Sequence, residues 1–124
     1  MPNIPTSNPK QFYQAAPLLT VPDVMAAASY YQRVLGFQAD TDAVTADYGV
    51  VWRDNAAVHF AVGANTATGV RIFFWVRDVN QLYEDVQARG AQLLEPIGTR
   101  PYHVRDFSIR DPNGIELVFG QDWD

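Results

Sequence analysis

Residues 16–21 form a short apolar run, and after it the period changes. Val24, Ala27, Ala28, Tyr31, Val34 and Leu35 recur at the three- and four-residue spacing of a helix buried along one side. Asp23 stands just ahead of that stripe, where a carboxylate accepts hydrogen bonds from the first free amides. Gly36 follows it, as a left-handed cap that a residue without Cβ enters at no steric cost. Strands are expected at 37–40, 48–53 and 57–62, with Asp54-Asn55 as the turn between the last two.

The pattern then restarts. Residues 71–76, rich in Ile, Phe, Trp and Val, read as a strand. Asp78 is a second helix cap, Val79, Leu82, Tyr83 and Val86 form the apolar stripe, and Gly90 ends the helix. Residues 91–94, 104–110 and 115–119 are the remaining strands. Asp111-Pro112-Asn113-Gly114 is a hairpin turn, because proline presets one dihedral and Asn-Gly tolerate positive φ.

The restart is an internal repeat. Val21-Pro22-Asp23-Val24 matches Val76-Arg77-Asp78-Val79 at a shift of 55, and Gly36 matches Gly90 at 54. Arg53-Asp54-Asn55 matches Arg110-Asp111-Pro112 at 57, and the same shift sets Val58-His59-Phe60 on Ile115-Glu116-Leu117 and Gly63 on Gly120. The chain is therefore read as α+β: two β-α-β-β-β modules, at 16–63 and 70–120, within one domain spanning 13–124. Residues 1–12, with Pro2, Pro5 and Pro9, read as an extended tail that lies free or along a partner.

Composition narrows the chemistry. The chain of 124 residues has no cysteine, which excludes disulfides, thiolate metal sites and cysteine nucleophiles. A net charge of −5 argues against nonspecific binding to nucleic acid. No apolar run reaches membrane-spanning length, and the first residues lack a signal-peptide layout, so the expected location is cytoplasmic.

Several segments carry a family resemblance. Leu18-Leu19-Thr20-Val21-Pro22-Asp23, Tyr30-Tyr31 and Val34-Leu35-Gly36-Phe37 resemble the opening segment of the vicinal oxygen chelate superfamily, the glyoxalase/bleomycin resistance/dioxygenase group. Phe73-Phe74-Trp75-Val76-Arg77-Asp78-Val79 resembles its second opening. The stretch from Arg105 to Gly114 is similar to its closing hairpin in the form seen in bleomycin resistance proteins. The resemblance implies two modules whose sheets curve, as a mixed sheet, around a cavity. It also implies a divalent ion in metal-using members, held by His or Glu from the first and last strand of each module. Bleomycin-resistance members are implied to lack the metal and to dimerise, with binding grooves between subunits.

The implied first ligand position falls on Ala16, and its repeat mate on Arg71. Neither offers a lone pair to a metal. The gapless frame puts the other two positions at Ala61 and Val118, whereas a two-residue shift on the same face gives His59 and Glu116. A metal would rest on His59 and Glu116 with water, short of the usual three protein ligands. The same two residues also read as a hydrogen-bonded or ion-paired couple, or His59 as a lone cavity residue. His103 reads as a loop residue at the cavity mouth.

Arg71, Phe73 and Trp75 are expected to face inward, alternating with Ile72, Phe74 and Val76 under the helices. Trp52, His59, Tyr102, Phe107 and Glu116 are expected to complete the lining. A second reading makes these aromatics plain core. Arg71 favours the pocket, because a buried guanidinium needs a partner, which Glu116 or a ligand would supply. Aromatic faces suit planar ligands and cations, while Arg71 suits an anionic or carbonyl oxygen.

Three functions remain. The first is a metal-free binding protein, without a cofactor and not an enzyme, that sequesters an aromatic or cationic small molecule, with antibiotic resistance as the implied role and a homodimer as the working form. The alternative is a metal-dependent glyoxalase- or dioxygenase-type enzyme using His59 and Glu116. The third is an interaction domain with a vestigial cavity.

Overall fold

A computed structural model of the chain describes residues 11–40, 42–65 and 69–124. Residues 1–10 of the expected tail lie outside the described residues. The first module contains β1 (Leu18–Val21), α1 (Val24–Leu35), β2 (Gln38–Ala39), β3 (Tyr48–Arg53) and β4 (Ala56–Val62). The second contains β5 (Arg71–Trp75), α2 (Val79–Ala88), β6 (Gln92–Thr99), β7 (Val104–Arg110) and β8 (Glu116–Asp122).

Each module makes its own four-stranded mixed sheet, in the order β1-β4-β3-β2 and β5-β8-β7-β6. The first strand of each lies parallel to the last, and the remaining pairs are antiparallel. The repeat extends to the helix caps. Asp23 Oδ1 accepts from the Ala26 amide at 2.9 Å, and Asp78 Oδ1 accepts from the Gln81 amide at 3.0 Å. Gly36 and Gly90 end the helices with φ of 71° and 93°, values that a Cβ would strain.

Some boundaries differ from the sequence expectation. β1 starts at Leu18 rather than at residue 16, so Ala16 precedes the sheet. β6 runs to Thr99, beyond the expected 94, because register shifts between Leu93 and Gly98 let the strand carry Pro96 through its antiparallel pairing with β7. β8 runs on to Asp122.

Alternation assigns the two faces of each sheet. Leu19, Val21, Val51, Val58 and Phe60 point toward α1 and are buried. Phe107, Ile109, Leu117 and Phe119 play the same part beneath α2. One core serves both modules. Phe37 meets Phe74 edge to face at 6.2 Å, and Phe74 stacks on Phe119 at 5.2 Å.

A buried polar contact accompanies this packing. Asp111, in the closing turn, accepts from the amides of Asn113 and Ile115, each at 2.9 Å. Its other oxygen accepts from the Tyr31 hydroxyl of α1, also at 2.9 Å. Both partners are buried, so each needs the other to stay satisfied. Burial raises the Asp111 pKa above its ordinary 3.8, and the three hydrogen bonds to the carboxylate oppose that rise.

Because the folded value lies above the unfolded one, the native chain holds more protons between the two. The stabilising contribution of protonated Asp111 is complete below the unfolded value and is lost as pH rises through the folded one. Tyr31→Phe removes one donor to the carboxylate. It should cost about 1.5–3 kcal/mol in urea unfolding, the range for a hydrogen bond to a charged group. Carboxyl-detected NMR should show the Asp111 midpoint moving further upward; a downward move would contradict the assigned role.

Candidate functional site

Each sheet turns one face to its helix; the other carries no helix and is exposed along β1 and β5, but Ala57, Val104, Asp106, Ser108 and Val118 on it are buried. Strand residues two apart share a face, and register partners share it across the sheet. On the first sheet this face carries Leu18 opposite His59, Val50 opposite His59, and Trp52 opposite Ala57. On the second it carries Arg71 opposite Glu116, Phe73 opposite Val118, and Asp106 opposite Gly120.

Large apolar groups remain in solvent on both faces. Trp75 is 63% exposed, Leu18 59%, Phe73 45% and Tyr48 39%. The expected alternation on β5 therefore holds: Arg71, Phe73 and Trp75 lie on the open face, while Ile72, Phe74 and Val76 pack against the core. Isolated exposed hydrophobics are ordinary, but a pair on each sheet face marks these faces as candidate contact surfaces.

Phe73 and Trp75 form a tilted aromatic pair with ring centroids 4.7 Å apart. A glycine makes room for it. A Cβ built on Gly120 would stand 2.5 Å from Phe73 Cζ and 3.1 Å from Val104 Cγ1. The repeat mate Gly63 does the same on the first sheet, where a Cβ would stand 2.6 Å from Thr20 Cγ2. The Phe73 ring can lie flat across β8 because residue 120 has no side chain.

Arg71 is not the buried guanidinium expected from the sequence. Its side chain is 68% exposed, and its Nε lies 3.0 Å from Glu116 Oε1. A surface pair of this kind contributes about 0–1 kcal/mol, so it orients the two groups more than it stabilises the fold. A second cluster lies on the same face. Arg100 Nε donates to Asp106 Oδ1 at 2.8 Å, and the Tyr102 hydroxyl donates to Asp106 Oδ2 at 3.2 Å. The hydrogen bond to Asp106, which is itself buried, raises the Arg100 pKa. Tyr102 is thereby held at the edge of this face, 63% exposed.

Phe107 does not line the site. It points the other way, fully buried, with Tyr83 at 5.0 Å and Phe119 at 5.2 Å between ring centroids. Alternation on β7 explains this: Asp106 and Ser108 share the open-face parity, and Phe107 does not. His103 sits in the β6–β7 turn with φ of 63°, and its carbonyl accepts from the Trp123 amide at 2.9 Å.

His59 and Glu116 do not meet. Tyr48 Oη lies 2.6 Å from His59 Nδ1, while Glu116 is engaged by Arg71. Among the described residues no ion pair joins the two, so the couple expected from the repeat is absent within one chain. The positions implied for metal ligands do not fit a metal either. Ala16 precedes β1 and Arg71 opens β5 opposite Glu116, and neither Ala16 nor Arg71 can ligate. Among the described residues no group of three or more His, Cys, Asp or Glu side chains could hold an ion.

A cavity of about 940 Å³ opens along the unpaired edge of β5. It takes in Phe73 and Trp75, the Arg53–Ala57 turn region, residues 15–17 and the first turns of α2. Trp52, His59, Arg71, Tyr102 and Glu116 stay outside it, on the open sheet faces. The sequence reading missed Tyr48, Arg100 and Asp106. Asp106 was recoverable, since a carboxylate inside a strand at open-face parity needs a partner.

No helix among the described residues is long and apolar enough to cross a membrane. None of the curated proteins compared matches the chain. Solved structures do. The bleomycin-binding protein from bleomycin-producing Streptomyces verticillus, complexed with copper(II)-bleomycin, is 27% identical with a TM-score of 0.75, over 88% of this chain and 95% of that one. TioX from Micromonospora sp. ML1 superposes at 0.76 with 20% identity, over 88% and 98% of the two chains. A bleomycin resistance determinant encoded on the transposon Tn5 superposes at 0.75 with 20% identity, over 88% and 97%. The last two likenesses speak to the fold alone. The sequence profile of the Glyoxalase/Bleomycin resistance protein/Dioxygenase superfamily matches residues 14–119, from ahead of β1 into β8. With two capped β-α-β-β-β units in the matching order, the chain belongs to the glyoxalase/bleomycin resistance protein/dioxygenase superfamily.

Proposed function

We propose that the chain is a small-molecule-binding protein that sequesters a planar aromatic ligand and works without a resident metal. The observation that carries this reading is the exposed Phe73–Trp75 pair beside the Arg71–Glu116 ion pair on the sheet face away from the helices. The rings supply flat apolar contact, and the ion pair supplies both a donor and an acceptor. Trp52, His59 and Tyr102 add further contacts from the two faces. Similarity to a protein that was crystallised with copper(II)-bleomycin supports the ligand class.

A homodimer is part of the proposal. One chain leaves the open face of each sheet without a facing wall, and a second copy could bring the first sheet of one subunit over the second sheet of the other. The groove would then take its aromatic floor from β5 and its histidine from β4. The enzyme alternative draws less support, because His59 and Glu116 have separate partners.

The test is calorimetric titration of the full chain with metal-free bleomycin, copper(II)-bleomycin and a set of planar cationic and neutral aromatics. Saturable binding of at least one is expected. Trp75→Ala should weaken it about twofold to tenfold, since an aromatic contact of about 0.5–1.5 kcal/mol is removed. Absence of saturable binding across the set, or stoichiometric metal that is lost in His59→Ala, would overturn the reading.

Gly120→Ala should weaken the same binding by a similar factor, by pushing the Phe73 ring off β8. Its stability cost should stay near about 1 kcal/mol, because the half-exposed ring can move outward. A large stability loss with unchanged affinity would mean that Phe73 serves the core.

A further inference from the structure

Tyr48 and His59 meet on the open face of the first sheet. The hydroxyl and Nδ1 are 2.6 Å apart, and the rings pack edge to face at 5.8 Å. They are diagonal neighbours on β3 and β4: Tyr48 lies opposite Ala61, and His59 opposite Val50. The small Ala61 side chain lets the phenol lean along the sheet to the imidazole. Among the described residues neither ring has a second hydrogen-bond partner.

The direction of this bond decides what His59 offers a ligand. A phenol hydroxyl is a good donor and a modest acceptor, whereas the unprotonated nitrogen of a neutral imidazole is a strong acceptor. The bond therefore runs from Tyr48 to Nδ1, and the ring proton stands on Nε2. We infer that Tyr48 is a positioning residue that holds His59 as the Nε2–H tautomer, making the first sheet a directed hydrogen-bond donor. The ligand it fits carries an acceptor, such as a carbonyl, amide or ring nitrogen, on its planar body.

The arrangement runs against a metal-binding role for His59. A ligating imidazole ordinarily donates its second ring N–H to a partner, which leaves the first nitrogen free for the ion. Here the second partner is itself a donor. To bind through Nε2, His59 would have to lose that proton and the Tyr48 contact would have to reverse.

The ligand part of this inference rests on the proposed binding function; the tautomer does not. The first arm is therefore measured without ligand. Long-range nitrogen–proton NMR of the full chain, about two units above the ordinary histidine pKa of about 6.5, reports which ring nitrogen is protonated. Nδ1 should appear as a hydrogen-bonded acceptor and Nε2 as protonated. In Tyr48→Phe the two signals should move toward the average of mixed tautomers. A protonated Nδ1 in the unaltered chain, or an unchanged single tautomer in Tyr48→Phe, overturns the inference.

The second arm uses metal-free bleomycin as the probe. Affinity should fall about fivefold to tenfold in Tyr48→Phe with unfolding stability retained, and the His59 Nε2–H signal should shift on binding. Unchanged affinity would overturn the specificity role. If the unaltered chain fails to bind any compound of the titration set, the proposed function falls, and the ligand-free spectra still decide whether Tyr48 sets the tautomer.

Discussion

A β-sheet has two faces, and each sheet of this chain has a single helix. Amphipathic strands bury one side against that helix, and the other side must be solvated, covered by a second copy or given to a ligand. Here the buried side follows the expected pattern, with Val21, Val51, Val58 and Leu117 fully enclosed. The other side is neither uniformly polar nor uniformly open, for Val104, Asp106, Ser108 and Val118 are buried on it. Leu18, Tyr48, Phe73 and Trp75 stay in solvent among Arg71, Glu116 and His59. The unpaired edges of β1 and β5 add backbone donors and acceptors to the same region.

The two modules are joined on the helix side, which leaves the open faces unencumbered. Phe37 on Phe74 and Tyr31 on Asp111 tie α1 and its flank to the second sheet and its closing turn. No ring contact, ion pair or hydrogen bond among the described residues joins one open face to the other. The polar groups on each face are organised instead by neighbours on the same sheet: His59 by Tyr48, Glu116 by Arg71, and Asp106 by Arg100 and Tyr102.

Much of the fold was legible from residues alone. The caps Asp23 and Asp78, the glycines Gly36 and Gly90, and the restart after residue 70 each report a local rule: capping, left-handed backbone, period. Strand facing on β5 was legible for the same reason. Phe107 was misassigned because aromatic character outweighed parity, although Asp106 and Ser108 fix its direction. The Tyr48–His59 contact is diagonal across two strands, and its distance depends on register and on a small residue at 61, which one sequence does not display.

In the proposed homodimer the open faces of two copies would come together in one site. Sedimentation equilibrium of the full chain measures this directly, with Trp75→Glu as the companion variant. The account predicts twice the mass of the chain for the unaltered protein, and dissociation when a charge replaces the most exposed ring of the β5 face. A monomer at every concentration studied, or a dimer indifferent to Trp75→Glu, would contradict it.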